Sequence, residues 1–349
     1  MARNERRRAT HTRPNEPRNA CGIISTLKSR PRQPQMRSRK EKMAEIVLRG
    51  IYPPLPTFFD ARDELDLVTF QRHIARLAES GIRGFVVMGS NGEAVHLSSD
   101  ERVEVIRAAR QAAGNEALVI AGCGEQSTRA TLRNCERAAR SGADVALALP
   151  PFYYRSRMDR RALLAHYRAV ADNSPLPLVI YNMPGNTAGL DLDAATISTL
   201  AEHPNIIGVK DSAGNMAKLA QIVATTSAAG EGTGHFSVFA GSAGYLLPAL
   251  VVGAVGAVAA LANIFPREVC RVEELYREGR LEEARELQAR IVPANTAVTA
   301  TYNVAGLKAA LELTSGYGGS PRSPLQPLTA EERVQLAKIL ERVQQPEKR

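Results

Sequence analysis

The sequence predicts an α/β fold: a (β/α)8 barrel, or TIM barrel, with a C-terminal helical extension. Two observations lead there. Short β-rich apolar runs alternate eight times with amphipathic helical patterns. Several of the runs are continuously apolar, as parallel strands covered on both faces must be. Right-handed crossovers between successive parallel strands then close the sheet, with the helices outside. A doubly wound open sheet is the competing architecture. Regular eightfold alternation suits closure better, and no dinucleotide-type glycine fingerprint follows the first run.

In chain order, strands are expected at 50–58, 84–88, 118–121, 145–149, 178–181, 206–209, 236–240 and 254–260. The first helix is marked by Leu67, Phe70, Ile74, Leu77 and Ala78, which share one stripe at helical spacing. Ser98 and Glu101 form a capping box that opens the second, which carries Val103, Ile106 and Ala109. Further helices are expected at 129–141, 160–171, 192–201, 217–225, 245–252 and 266–278. Three more follow the eighth unit. Leu281, Ala284, Leu287 and Ile291 share a face of one; the others fall at 304–313 and 329–343, the last opened by a Thr329–Glu332 capping box. The expected division is a barrel at 43–280 and an extension at 281–349.

Residues 1–42 are polar, basic and Pro-containing, without sustained amphipathic periodicity, and are expected to be a disordered tail. Their Arg-rich character resembles a mitochondrial transit segment; the alternative is that Met43 is the true start. The expected location is therefore cytoplasmic or mitochondrial. The tail also explains the formal net charge of +9: it holds 13 of the 45 basic and 3 of the 36 acidic residues, leaving 32 against 33 elsewhere. The body is thus nearly neutral, and no nucleic-acid partner is expected. No apolar run reaches the ~18 residues that a spanning helix needs, so no membrane partner is expected. With 44% hydrophobic but only 5% aromatic residues and no Trp, aliphatic side chains and Ala must fill the core. The four cysteines show no CxxC spacing, and Cys123 and Cys135 read as buried free thiols. The six histidines form no metal-binding pair, so neither a metal nor a cofactor is expected.

In a barrel of this type the site lies at the C-terminal ends of the strands. Standing there are Thr57, the loop from Gly89 through Ser90, Asn91 and Gly92 to Glu93, the pair Tyr153 and Tyr154, then Tyr181, Lys210 with Asp211 and Ser212, and Gly241 with Ser242. Lys210 ends an apolar run. Either it leaves the barrel toward water, or apolar walls favour its neutral amine, which then attacks a carbonyl. A protonated Schiff base so formed is an electron sink for breaking a carbon–carbon bond. Tyr181 is either a core residue with a satisfied hydroxyl or a proton relay one strand from Lys210. Ser90 and Asn91 between glycines make either a tight turn or a loop that holds a carboxylate.

The order of these motifs resembles the dihydrodipicolinate synthase / N-acetylneuraminate lyase family over residues 49–332. The resemblance rests on Gly89-Ser90-Asn91-Gly92-Glu93, Pro151-Phe152-Tyr153-Tyr154, Tyr181-Asn182-Met183-Pro184, the run 206–212 around Lys210, and Ala240-Gly241-Ser242-Ala243-Gly244. It implies that Lys210 is the Schiff-base lysine and Tyr181 the acid/base tyrosine. It implies that Ser90 links Tyr181 to Tyr153, that Tyr153 is donated into a neighbouring subunit, and that Ser90 and Asn91 hold the keto-acid carboxylate. Ser212 and Gly241 join the substrate-binding set, and Glu93 is expected to fix its loop. The Ser-Asn loop is similar to the 4-hydroxy-2-oxoglutarate aldolase branch, and aldolases of 2-keto-3-deoxy sugar acids share it. Synthases usually carry Arg where Asn186 stands, so a dihydrodipicolinate synthase-like reaction loses its expected anchor. The expectation is a class I 2-keto-acid aldolase cleaving 4-hydroxy-2-oxoglutarate to pyruvate and glyoxylate, assembled as a homotetramer. A non-catalytic keto-acid sensor on the same fold is the alternative of another class.

Overall fold

Eight parallel strands and eleven α-helices alternate along the chain in the computed structural model, which describes residues 46, 48–227 and 236–344. The tail, and with it the expectation of disorder over 1–42, lies outside those residues. The strands are β1 (Gly50–Tyr52), β2 (Gly84–Val87), β3 (Leu118–Gly122), β4 (Val145–Ala148), β5 (Leu178–Asn182), β6 (Ile206–Asp211), β7 (Ser237–Ala240) and β8 (Gly256–Val258). Each is followed by the helix of the same number: α1 (Leu67–Ala78), α2 (Ser99–Ala113), α3 (Thr128–Arg140), α4 (Arg160–Asn173), α5 (Ala194–Ala201), α6 (Met216–Ser227), α7 (Leu246–Val251) and α8 (Pro266–Arg277). The expected capping box opens α2: the Ser98 side chain accepts from the Glu101 amide and the Glu101 side chain from the Ser98 amide.

Neighbouring strands pair in the order β1-β8-β7-β6-β5-β4-β3-β2. The ring is closed between β1 and β2 by a parallel bridge from Pro54 to Val86. There Val86 N donates to Pro53 O at 3.0 Å and Leu55 N to Val86 O at 2.8 Å. This closure is a bridge rather than a ladder, and β1 is far shorter than the expected 50–58. Pro53, Pro54 and Pro56 have no N–H to give a neighbour, so the ladder with β8 stops at Tyr52 and only the bridge to Val86 continues beyond it. At the other end of the ring a side chain on Gly256 would strike Gly50 O at 2.0 Å, so only glycine lets β8 meet β1.

Residues alternate between two cores. Tyr52, Val86, Ile120, Leu147, Val179, Tyr181, Phe239 and Val258 fill the barrel, with Tyr52 edge-on to Phe239 at 5.6 Å. The intervening positions, among them Phe85, Ala121, Ala146, Ile180 and Val209, pack outward on the helices. The extension is built from α9 (Leu281–Thr296), α10 (Asn303–Ser315) and α11 (Ala330–Gln344). Ala284, Leu287 and Ile291 of α9 are buried as their spacing predicts, whereas Leu281, the first residue of the helix, is exposed; Leu336 and Leu340 of α11 are buried as well. Gln288 of α9 grips the loop after β7, donating to Ala243 O at 2.8 Å and accepting from Leu247 N at 2.9 Å.

A buried polar chain joins α1 to this extension. Arg76 Nε donates to the Tyr317 hydroxyl at 2.9 Å; Tyr317 donates to His73 Nδ1 at 2.9 Å, and His73 Nε2 donates to Asn263 Oδ1 at 3.0 Å. Burial favours the neutral imidazole, and with Nε2 donating to Asn263 its Nδ1 is the acceptor. Burial pushes the His73 pKa down to about 3. Acidification through the ordinary histidine range therefore protonates the unfolded chain first, and stability present above pH 6.5 is lost as pH falls. Between pH 7 and pH 5 this one group should remove about 2 kcal/mol. His73→Gln should show a correspondingly shallower loss in urea unfolding over that range. Parallel pH dependences for the two proteins would show that His73 is not the source.

Candidate active site

Lys210 enters the barrel through an irregularity in β6. Ile206 pairs with Leu178, both on the outer face, and strict alternation from Ile206 would send Lys210 outward too. The register shifts after that pair: Val179 faces Gly208, Ile180 faces Val209, and Tyr181 faces Lys210. The extra residue, Ile207, is a β-bulge that flips the rest of the strand. Gly208 permits it, since a side chain there would meet Ser237 O at 2.5 Å. Lys210 consequently points inward with Tyr181 and is 4% exposed; its Nζ lies 3.8 Å from the centre of the Tyr181 ring.

The next residues on both strands point outward and hold the pair from behind. Asn182 Nδ2 donates to Asp211 Oδ2 at 2.8 Å and to Asp191 Oδ1 at 2.6 Å. Lys218 of α6 bridges the same two carboxylates at 2.5 and 2.8 Å. The Tyr245 hydroxyl donates to Asp211 O at 2.9 Å.

Ser90 arrives from the loop after β2, its Oγ 3.4 Å from the Tyr181 hydroxyl. Asn186, on the turn after β5, donates from Nδ2 to the same Ser90 Oγ at 2.8 Å. Burial acts to raise the Tyr181 pKa; the Lys210 charge, with the polar contacts of Ser90, Lys210 and Ser212, outweighs burial and holds the phenol below its ordinary value. Asn91 Nδ2 and Ser212 Oγ are buried without a well-formed hydrogen bond. At Gly241 a side chain would strike Ser212 Oγ at 1.8 Å, while its N–H already donates to Asp211 O at 2.8 Å. What Gly241 leaves is room, since its amide is spent on the ladder.

The Ser90 loop is strained at both ends. Met88 and Glu93 have positive φ, 52° and 53°, where non-glycine residues are uncommon. Buried Glu93 pins it. Its Oε1 lies 2.6 Å from Nζ of fully buried Lys308 on α10, and its Oε2 accepts from Arg322 N at 2.8 Å. Burial holds the Lys308 pKa below the ordinary lysine value against the opposing pull of Glu93. Glu93 is the loop-fixing carboxylate that its position suggested. Lys308 and Arg322 carried no signal in the sequence.

Tyr153 stands apart from this group. It is 76% exposed and packs edge-to-face on Tyr154 at 5.2 Å; the Phe152 and Tyr153 amides donate to Gln126 Oε1 at 2.9 and 2.8 Å. Within the chain it makes no hydrogen bond to Ser90 or Tyr181. A cavity of about 440 Å³ opens over the ends of β2 to β5, lined by Ser90, Tyr181, Asn186, Gln126 and the ion pair of Arg102 with Glu125. The cavity presents a phenol able to exchange a proton and a polar wall; Lys210, whose amine could attack a carbonyl, stands against the Tyr181 ring and is not itself among the lining residues. Cys123, Cys135 and Cys270 are buried free thiols. Among the described residues no cluster of His, Cys, Asp and Glu is placed to hold a metal ion, and no helix is long and apolar enough to cross a membrane.

The model of the dihydrodipicolinate synthetase family matches residues 47–343. A protein of Emericella nidulans named "Probable 4-hydroxy-2-oxoglutarate aldolase, mitochondrial" is 44% identical over 291 residues, 82% of this chain and 92% of that one. The L-threo-3-deoxy-hexylosonate aldolase of Hypocrea jecorina is 42% identical over 287 residues, 80% and 90% of the two chains. Among solved structures, a prophage protein of E. coli in complex with pyruvate, of the dihydrodipicolinic acid synthase family, matches with a TM-score of 0.79 and 28% identity over 86% of this chain and 99% of that one.

Removing one partner of a buried ion pair strands the other charge. Lys308→Met should therefore destabilise the protein by about 3–5 kcal/mol. Adding Glu93→Gln to it should recover part of that loss. A urea-unfolding loss under about 1 kcal/mol for the single variant would show that the pair does not anchor the loop.

Proposed function

The chain belongs to the dihydrodipicolinate synthetase family, and from that premise we propose that it is a class I aldolase in which Lys210 forms a Schiff base with a 2-keto acid. The observation that carries this reading is the inward Lys210 amine, 3.8 Å from the ring of Tyr181, whose hydroxyl meets Ser90 at the floor of an open cavity. The substrate proposed is 4-hydroxy-2-oxoglutarate. The Lys210 amine adds to C2 and water leaves, giving a protonated imine. Tyr181 takes the proton of the C4 hydroxyl as the C3–C4 bond breaks, glyoxylate departs, and the electron pair is held as an enamine. Protonation at C3 and hydrolysis of the imine return pyruvate and free Lys210. Ser90, Asn91 and Ser212 hold the pyruvate half, and Gly241 makes space for it. The unpaired Asn91 amide supports the carboxylate assignment.

A second reading, a longer 2-keto-3-deoxy sugar acid cleaved by the same steps, is favoured by one observation. The cavity runs past Tyr181 to Gln126 and the Arg102–Glu125 pair, farther than glyoxylate requires. A synthase-type reaction is disfavoured, since neutral Asn186 stands where an anchoring cation would be needed.

Borohydride reduction in the presence of pyruvate should add mass at Lys210, and Lys210→Ala should lose both the adduct and pyruvate release. Tyr181→Phe should still be trapped but cleave roughly 10² times more slowly or worse. A folded wild-type protein that gives no adduct is a sensor, and the aldolase reading fails. A panel of 2-keto acids scored by pyruvate release separates the two substrates.

The exposed Tyr153 and Tyr154 support the further proposal of a homotetramer in which Tyr153 reaches Ser90 of a neighbouring subunit. Mixing Tyr153→Phe subunits with Lys210→Ala subunits then yields some sites with both groups intact, and activity returns. If exchange is proven, and the Tyr153→Phe parent is impaired, continued inactivity of the mixture overturns the shared site.

A further inference from the structure

Ser90 has one proton to give and two neighbours to satisfy. Its Oγ is 2.8 Å from Asn186 Nδ2 and 3.4 Å from the Tyr181 hydroxyl. An amide nitrogen only donates, so toward Asn186 the serine oxygen is the acceptor. Its proton is then left for Tyr181. The opposite arrangement, in which residue 186 accepts, turns that proton away from the phenol.

Asn186 is placed for this by a rigid turn. Its N–H donates to Met183 O at 3.0 Å, and the Thr187 hydroxyl behind it shares its one proton between Met183 O at 3.0 Å and Leu190 O at 2.9 Å. Thr187 is fully buried, whereas the Asn186 side chain is exposed to the cavity. The backbone is fixed from below and the amide is not needed for packing.

We propose that Asn186 is a positioning residue for carbon–carbon cleavage: by donating to Ser90 it commits the serine proton to the Tyr181 oxygen, and so holds that oxygen ready to accept the substrate's hydroxyl proton. The proposal rests on the aldolase reading and names a group that acts through Ser90 rather than on the substrate. The other groups that face Tyr181 are Lys210 from β6, Ser212 from the loop after β6, and Tyr245 from the turn after β7; from β4 Leu147 shares its apolar cluster. Along the cavity the remaining charges are the paired Arg102 and Glu125. Lys210 is the only cation at Tyr181 among the described residues and is untouched by changes at 186, so its influence is common to every variant. The depressed Tyr181 pKa agrees with a donor at Ser90.

The test is a double-mutant cycle on cleavage of a 2-keto acid that the wild type turns over, with Asn186→Ala and Ser90→Ala singly and together. Asn186→Ala should lower kcat roughly fivefold, the worth of one ordinary hydrogen bond. It should move the acid limb of the kcat profile to higher pH and leave KM and borohydride trapping of pyruvate on Lys210 unchanged. In the Ser90→Ala background the same change should do nothing further. Asn186→Asp, an acceptor only, should move the limb farther, and the part of that movement carried by the serine proton should vanish with Ser90→Ala. Equal effects of Asn186→Ala in both backgrounds, or an unmoved limb in the presence of Ser90, overturn the proposal. Absence of trapping in the wild type is a different result, and it strikes the Schiff-base reading instead.

Discussion

The inward placement of Lys210 beside Tyr181 depends on one extra residue in β6. A strand has a side-chain period of two, so a slip of one residue sends every later side chain to the opposite face. The bulge at Ile207 makes that slip once, between Ile206, which packs outward, and Lys210, which points inward. Two buried charges are sorted by it. The amine meets the Tyr181 ring, while Asp211 turns out to Lys218 and Asn182. Without the slip, Asp211 would enter an otherwise apolar barrel and Lys210 would press against the helices, each parted from the groups that now satisfy it.

The second constraint comes from outside the barrel. The Ser90 loop needs left-handed backbone at Met88 and Glu93, and strain of that kind persists only where surrounding structure over-determines it. Lys308 on α10 and the Arg322 amide supply that excess through Glu93, and Thr57 adds a hydrogen bond to Gly92 O at 2.7 Å. A buried ion pair is a weak source of net stability, because desolvation offsets its Coulomb attraction. Its value here is geometric: it fixes where Ser90 stands. The helical extension is therefore a support for the site as well as a cover for the barrel.

Much of this was legible in the sequence, for reasons that differ from residue to residue. The β5 and β6 runs were found because strands buried on both faces are apolar throughout. Tyr181, Lys210 and Ser90 stand out in the sequence because strand ends are where a barrel places its chemistry. β1 is shorter than its apolar run 50–58 because the prolines within that run break the ladder. The bulge left only Gly208 as a trace, and a glycine in a strand has several explanations. Lys308 reads as one more lysine on a helix, because its partner Glu93 lies far away in the chain and nothing local marks the pair. Asn186 departs in the sequence from the family's usual arginine; that it touches Ser90 depends on how the turn after β5 folds back over the loop after β2.

The placement of these groups suggests a division of labour set by rigidity. Lys210 and Tyr181 sit on adjacent strands whose register is fixed by main-chain hydrogen bonds, so their separation is part of the barrel itself. Ser90, Asn186 and Gln126 sit on loops, each tied down by buried or main-chain contacts: Glu93 for the first, Thr187 for the second, and the Phe152 and Tyr153 amides for the third. Groups on strands suit the covalent step, where small displacements are costly. Tethered loops, by contrast, can be reshaped without disturbing the strands beneath them. A fixed amine and phenol on the strands, with polar side chains on loops around them, lets the surroundings of the pair change while the pair itself stays in place.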